Sequence, residues 1–73
     1  MEKLKLGGSS NILNVWFDAG KETIKVEFVN HRKYLYFFVS QEMVDDWLKA
    51  YSVGEWFEKN IRKNGDIKYR RID

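Results

Sequence analysis

Lys33-Tyr34-Leu35-Tyr36-Phe37-Phe38-Val39 (KYLYFFV, residues 33–39) sets four aromatic rings, a leucine and a valine within seven residues. Aromatic and β-branched runs of this kind favour extended chain, and the run is too short to mark a helix. No other segment carries as much apolar side-chain area. It is therefore predicted as the central strand, with the rest of the chain supplying strands to pair with it and helices to cover it.

Working back from this stretch, Thr23 to Val29 alternates cleanly: Ile24, Val26 and Phe28 on one side, Thr23, Lys25 and Glu27 on the other. That pattern describes a sheet with one packed and one wet face. Ile12 to Phe17 (ILNVWF) is the strand before it, with Leu13, Val15 and Phe17 facing one way and Ile12, Asn14 and Trp16 the other. Asp18-Ala19-Gly20-Lys21 is the turn between them, the aspartate accepting local backbone bonds and the glycine taking a positive φ. Residues 1–10 read as a flexible lead-in with a joint at Gly7-Gly8-Ser9-Ser10, or alternatively as a short edge strand at Leu4 and Leu6.

Asn30-His31 turns the chain into the central strand, both residues tolerating left-handed backbone. A two-residue loop sets Val26 opposite Leu35 and Ile24 opposite Phe37. Tyr34 and Tyr36 then share the outer face with Lys25, Glu27 and Trp16. A three- or five-residue loop with a bulge reverses the parity and turns both tyrosines inward. The two registers lead to different binding surfaces.

After the central strand, Ser40 is a suitable N-cap with Glu42 in the first turn, and a helix is expected to run to about Ala50. Met43, Val44, Trp47, Leu48 and Tyr51 form its apolar stripe, opposite Asp45 and Asp46. Ser52-Val53-Gly54-Glu55 has the spacing of a capping box, so a second helix begins at a sharp corner and buries Val53, Trp56, Phe57 and Ile61. Asn64-Gly65 suits a left-handed cap. Ile67 to Ile72 (IKYRRI) fits a fourth strand. The expected fold is α+β: an antiparallel three-stranded meander, with this fourth C-terminal strand as an option, packed on two short helices within a single domain spanning 11–73. The expected core is Val15, Phe17, Ile24, Val26, Phe28, Trp47, Leu48, Trp56, Phe57 and Ile61.

In a chain of 73 residues with 16% aromatics, the rings must supply much of the core, each burying roughly 150–250 Å². The chain has no cysteine, hence no disulfide or thiolate metal site. The start, MEKLKLGGSSN, has no apolar run of the kind a secretory signal needs, and no stretch approaches the ~20 apolar residues of a membrane span. The expected location is the cytoplasm, with no membrane partner. Thirteen Lys and Arg against eleven Asp and Glu is too mild an excess to argue for nucleic acid. Its distribution says more: Lys59, Arg62, Lys63, Lys68, Arg70 and Arg71 face only Asp66 in the C-terminal stretch, whereas residues 41–58 are acidic.

The order of these motifs resembles the KTSC domain, a family named for its occurrence at the C-terminus of some lysyl-tRNA synthetases and also found as stand-alone proteins. Tyr34-Leu35-Tyr36 matches its central Y-x-Y. Ser10 and Ile12, the pattern around Val26 and Phe28, Val39, the corner residues Ser52, Gly54, Phe57, Asn60 and Ile61, and the closing Tyr69 and Arg70 match as well. The family often has Asn-Gly where this chain has Asn30-His31, and often enters the helix through proline where this chain has Ser40. A residue between the tyrosines that is often polar in the family implies inward tyrosines, against the two-residue loop. The attachment to a tRNA-handling enzyme implies RNA binding by association.

The candidate site is accordingly an aromatic sheet face, Trp16, Tyr34 and Tyr36, with Lys25, Arg62, Lys63, Lys68, Arg70 and Arg71 on phosphates. The plainer reading of the same residues is that the rings are core and the tail charges keep the protein soluble. Catalysis has little support. His31 is the only histidine and suits a turn, Asp45 and Asp46 diverge on their helix, and no nucleophile set, phosphate-cradling loop or metal-ligand spacing occurs. The leading expectation is a non-catalytic, cofactor-free module that binds RNA or another nucleic acid. The alternative is a protein-interaction module, including a phage or viral accessory protein that inhibits a host factor, or a homodimer closing over the ring-rich face.

Overall fold

The computed structural model describes residues 1–6 and 9–73. Its strands are β1 (Glu2–Lys3), β2 (Ile12–Asp18), β3 (Thr23–Phe28), β4 (Lys33–Phe37) and β5 (Lys68–Arg71), joined in one antiparallel sheet of order β1-β2-β3-β4-β5. Helix α1 (Gln41–Leu48) and helix α2 (Val53–Phe57) lie between β4 and β5 in the chain, and α2 continues into a π-helical turn, Glu58–Arg62. The class is α+β as expected; to the three expected strands the sheet adds the optional C-terminal one, as β5, and a fifth, β1, in the lead-in. Within the lead-in, Glu2 and Lys3 pair with Phe17 and Trp16, and the Leu4 amide donates to the Val15 carbonyl at 2.8 Å. The joint expected at Gly7-Gly8 lies outside the described residues.

The register of β3 and β4 corrects the two-residue loop. Val26 lies opposite Tyr34, Lys25 opposite Leu35 and Ile24 opposite Tyr36. The loop is Val29-Asn30-His31: the His31 amide donates to the Phe28 carbonyl at 2.8 Å and the Phe28 amide to the Arg32 carbonyl at 2.9 Å. Only His31 of the three has a positive φ, 69°. This is the three-residue hairpin connection, a tight turn closed by one left-handed residue. One extra loop residue reverses parity, so Tyr34 and Tyr36 turn toward the helices and Leu35 turns away.

Two other turns also differ from expectation. Glu22, not Gly20, takes the positive φ between β2 and β3, and Gly65 is not left-handed. In β2 the pairing shifts between Ile12 and Asn14, leaving Leu13 as the extra residue of a bulge. Ile12 thus joins the core side while Leu13 is exposed, the reverse of simple alternation.

The core fills the space between the inner sheet face (Val15, Phe17, Ile24, Val26 and Tyr36) and the helical layer (Val44, Trp47, Val53, Phe57 and Ile61), with Val39 and Ile67 at its edges. Phe28 and Trp56 are half-buried against it. Leu48 is 46% exposed and Tyr51 fully exposed, because α1 stops at Leu48 rather than Ala50 and the chain turns before either residue reaches the sheet. Ser40 caps α1, its hydroxyl accepting from the Met43 amide at 3.2 Å. Ser52 caps α2, accepting from the Glu55 amide at 3.3 Å. The corner between the helices is tied by Trp47, whose buried indole N–H donates to the Val53 carbonyl at 3.1 Å.

The rings form a continuous series. Trp56 stacks on Trp47 (5.2 Å between centroids, 13° between planes), Trp47 on Phe57 (5.6 Å), and Phe57 meets Tyr36 edge-on (5.4 Å). Tyr36 then contacts Tyr34 and Tyr69 at 6.2 and 6.0 Å. Such offset and edge-on pairs add to burial alone.

The π turn was not anticipated. The Asn60 side-chain amide donates to the Trp56 carbonyl (3.0 Å) and the Asn64 amide to the Asn60 carbonyl (3.1 Å). These carbonyls are the α-helical acceptors of the same residues' own N–H groups. With them occupied, the ladder lengthens by one residue, as in the Lys63 amide to Glu58 carbonyl bond at 3.0 Å.

Candidate functional site

The helices cover one face of the sheet, and the register shows what stands on the other. Residues directly opposite in antiparallel strands share a face. One row therefore crosses all five strands: Lys3, Trp16, Lys25, Leu35 and Arg70. On either side of it lie Phe37 with Lys68, and Asn14, Glu27 and Lys33. Trp16, Leu35 and Phe37 are half-buried, and neither ring stacks on another ring.

Cations lie against these rings. Lys25 Nζ stands 4.4 Å from the centre of the Trp16 ring, and the Arg70 guanidinium 6.0 Å from Phe37. Contacts of this kind hold a long side chain extended over the sheet without neutralising it. Of the two acids at this face, Glu27 accepts from the Asn14 amide at 3.0 Å, and Asp18, at the end of β2, accepts from the Lys21 amide at 3.2 Å. Lys3, Lys25, Lys33, Lys68 and Arg70 outnumber them.

The residues expected to form one site therefore fall into two groups. Trp16, Lys25, Lys68 and Arg70 come together on the uncovered face. Tyr34, Tyr36 and Arg71 point to the helical side, Arg62 is exposed on the π turn, and Lys63 caps that turn. Arg71 is held by Asp73 (Nε to Oδ1, 2.8 Å), a hydrogen bond that raises the guanidinium pKa and lowers that of the carboxyl. Lys3, Lys33, Leu35 and Phe37 belong to the face but were missing from the expected set. Strand parity places the last three once the loop has three residues. Lys3 depends on a two-residue strand with no sequence signal of its own.

On the helical side, Tyr34, Tyr36 and Tyr69 meet at the mouth of a cleft of about 370 Å³ that also touches Phe28, Arg32 and Arg62. Tyr36 is 5% exposed. Burial pushes its phenol up to about 12, against the pull of the nearby Arg62 charge. Among the described residues no group of three or more His, Asp or Glu side chains converges as a metal site would require, and no helix is long and apolar enough to cross a membrane.

Comparison with known proteins gives a consistent family. The KTSC domain model matches residues 8–64, well over half of the chain. Among solved structures, the crystal structure of a KTSC domain protein from Yersinia pestis superposes with a TM-score of 0.81, covering 97% of this chain and 99% of that one at 22% identity. At that identity the likeness is one of fold. The search among curated proteins gives no match.

Proposed function

The chain belongs to the KTSC domain family, and we propose that it acts as a small, non-catalytic binding module that takes single-stranded nucleic acid on the uncovered face of its sheet. One observation carries this reading: the row Lys3–Trp16–Lys25–Leu35–Arg70 alternates cation and apolar side chain across all five strands. Bases stack on exposed ring faces, with ~1–3 kcal/mol per base, while cations spaced between the rings meet the phosphates. A duplex keeps its base faces covered, so a single strand or an open loop suits this surface better.

The test is a fluorescence-anisotropy titration of short single-stranded RNA, structured RNA and duplex DNA at low and physiological salt. With about five phosphate contacts, the slope of log affinity against log salt is about −3.5, a loss of roughly 100-fold between ~50 and ~200 mM. Trp16→Ala and Arg70→Ala should each weaken binding, whereas Arg71→Ala, on the other side of the sheet, should not. Absence of binding at low salt, or binding indifferent to both Trp16→Ala and Arg70→Ala, refutes the proposal.

A further inference from the structure

The Tyr34–Tyr36–Tyr69 cleft lies on the opposite side of the sheet from the Trp16 row and plays no part in the binding just proposed. Its volume, about 370 Å³, is in the range of small-molecule sites, which run from roughly 300 Å³ upward. The lining is unusual for a surface hollow. Four rings, Phe28, Tyr34, Tyr36 and Tyr69, meet two arginines, Arg32 and Arg62, and no acid is among the lining residues. The rings are arranged at angles to one another: Phe28 to Tyr34 at 78° and Tyr34 to Tyr69 at 64°. Tyr36 lies tilted against both Tyr34 (39°) and Tyr69 (36°), so no two of these rings stack face to face. Tyr69 is 68% exposed although its ring sits against two others.

Two further observations point to a ligand. Tyr36 is more than nine-tenths buried, yet its hydroxyl has no hydrogen-bond partner among the described residues, and no buried polar side-chain atom is sealed away unpaired. The phenol oxygen is therefore open to solvent at the cleft, where an acceptor on a ligand can take the place of water. Arg62 and Ile61 reach the cleft from the π turn, a distortion that in helices often accompanies a binding site. Among the described residues, Arg62 makes one ion pair, to Glu58 at 3.3 Å, with both side chains about half exposed. Such a pair is weak and leaves the guanidinium free to turn.

We infer that this cleft binds a planar ring carrying a single phosphate, in the class of a nucleoside monophosphate, with the ring against Tyr34 and Tyr69 and the phosphate between Arg62, Arg32 and the Tyr36 hydroxyl. An arginine presents a planar fork that matches phosphate oxygens, and a neutral phenol adds a donor without adding charge. The same chemistry is available from a free mononucleotide or from the phosphorylated end of a nucleic-acid strand.

The experiment is an NMR titration of the ¹⁵N-labelled chain with AMP, adenosine, inorganic phosphate, and a short oligonucleotide with and without a 5′-phosphate. AMP should shift the amides around Tyr34, Tyr69 and Arg62, while adenosine and phosphate alone bind at least about tenfold more weakly, since each keeps half the contacts. Arg62→Gln should weaken AMP by about tenfold and Tyr36→Phe by a smaller factor. Trp16→Ala should leave AMP unchanged, which separates this site from the outer face. Read at the cleft amides in the Trp16→Ala background, stronger binding of the 5′-phosphorylated oligonucleotide than of both its unphosphorylated form and AMP identifies a strand end as the source, and equal or weaker binding identifies the free nucleotide. No shifts at millimolar AMP, or shifts that Arg62→Gln and Tyr36→Phe both leave unaltered, overturn the inference. The dispersed spectrum of each variant shows that it has folded.

Discussion

The register of the β3–β4 hairpin can be tested through its loop alone. His31 has φ 69° and is exposed, so its side chain contributes little packing while its backbone sits in the left-handed region. That conformation costs an L-residue about 1–2 kcal/mol, which glycine avoids, against about 0.5–1 kcal/mol of extra chain entropy that glycine loses on folding. His31→Gly should therefore stabilise the protein by about 0.5–1 kcal/mol, or about 2–8 °C in Tm for a domain of this size. Asn30 behaves oppositely. Its φ is not positive, and its Oδ1 accepts from the Arg32 amide at 3.0 Å. Asn30→Gly removes that bond and adds chain entropy, a loss of about 1–2 kcal/mol. In a two-residue loop both positions have positive φ, and both glycine variants would stabilise. Thermal melts followed by circular dichroism separate the cases. A rise in Tm for Asn30→Gly, or a fall for His31→Gly, would refute the three-residue loop, and with it the inward placement of Tyr36 and the composition of the outer row.

Two further outcomes follow from the interior. Trp47→Phe strands the buried Val53 carbonyl and leaves a void beside Trp56; it should cost about 2–4 kcal/mol in urea unfolding, and a loss below about 1 kcal/mol would contradict the buried bond. The Tyr36 phenol, raised by burial from 10.0 to about 12, binds its proton more tightly folded than unfolded. The stability this adds is complete below pH 10 and is lost as the pH rises toward 12. The loss is at most roughly 3 kcal/mol and smaller in practice because the hydroxyl meets cleft water. Tyr36→Phe should flatten that alkaline fall, and an unchanged alkaline profile would place the effect elsewhere.

What the sequence made legible were the features encoded locally. The alternation of Thr23 to Phe28, the two serine caps and the Trp47 and Phe57 stripes all express a period or a single side-chain bond within a few residues. The register of Tyr34 and Tyr36 did not, because parity turns on whether Val29 belongs to the strand or the loop, and a lone valine favours neither strongly. The bulge at Leu13 and the two-residue β1 strand are set by pairing with distant backbone. The π turn arises from Asn60 and Asn64 competing for carbonyls, a contest that composition does not announce. The outer face was half read for the same reason: Trp16, Lys25, Lys68 and Arg70 were recognised, while Lys33, Leu35 and Phe37 were assigned by a parity one residue out.

The series of rings from Trp56 through Trp47, Phe57 and Tyr36 to Tyr69 gives the molecule an optical property of its own. Excitation absorbed by the tyrosines at the cleft mouth passes through space to the nearby stacked indoles, which absorb at lower energy; Phe57, between them, absorbs at higher energy and takes no part. Trp47, wholly shielded from water, should emit toward the blue, and the near-parallel Trp47 and Trp56 should couple their transitions into a paired near-ultraviolet dichroic signal. Trp16, half-exposed on the far side beneath Lys25, should emit toward the red. Each face of the sheet thus carries a native fluorophore of a different colour, and light alone can tell which side has been occupied.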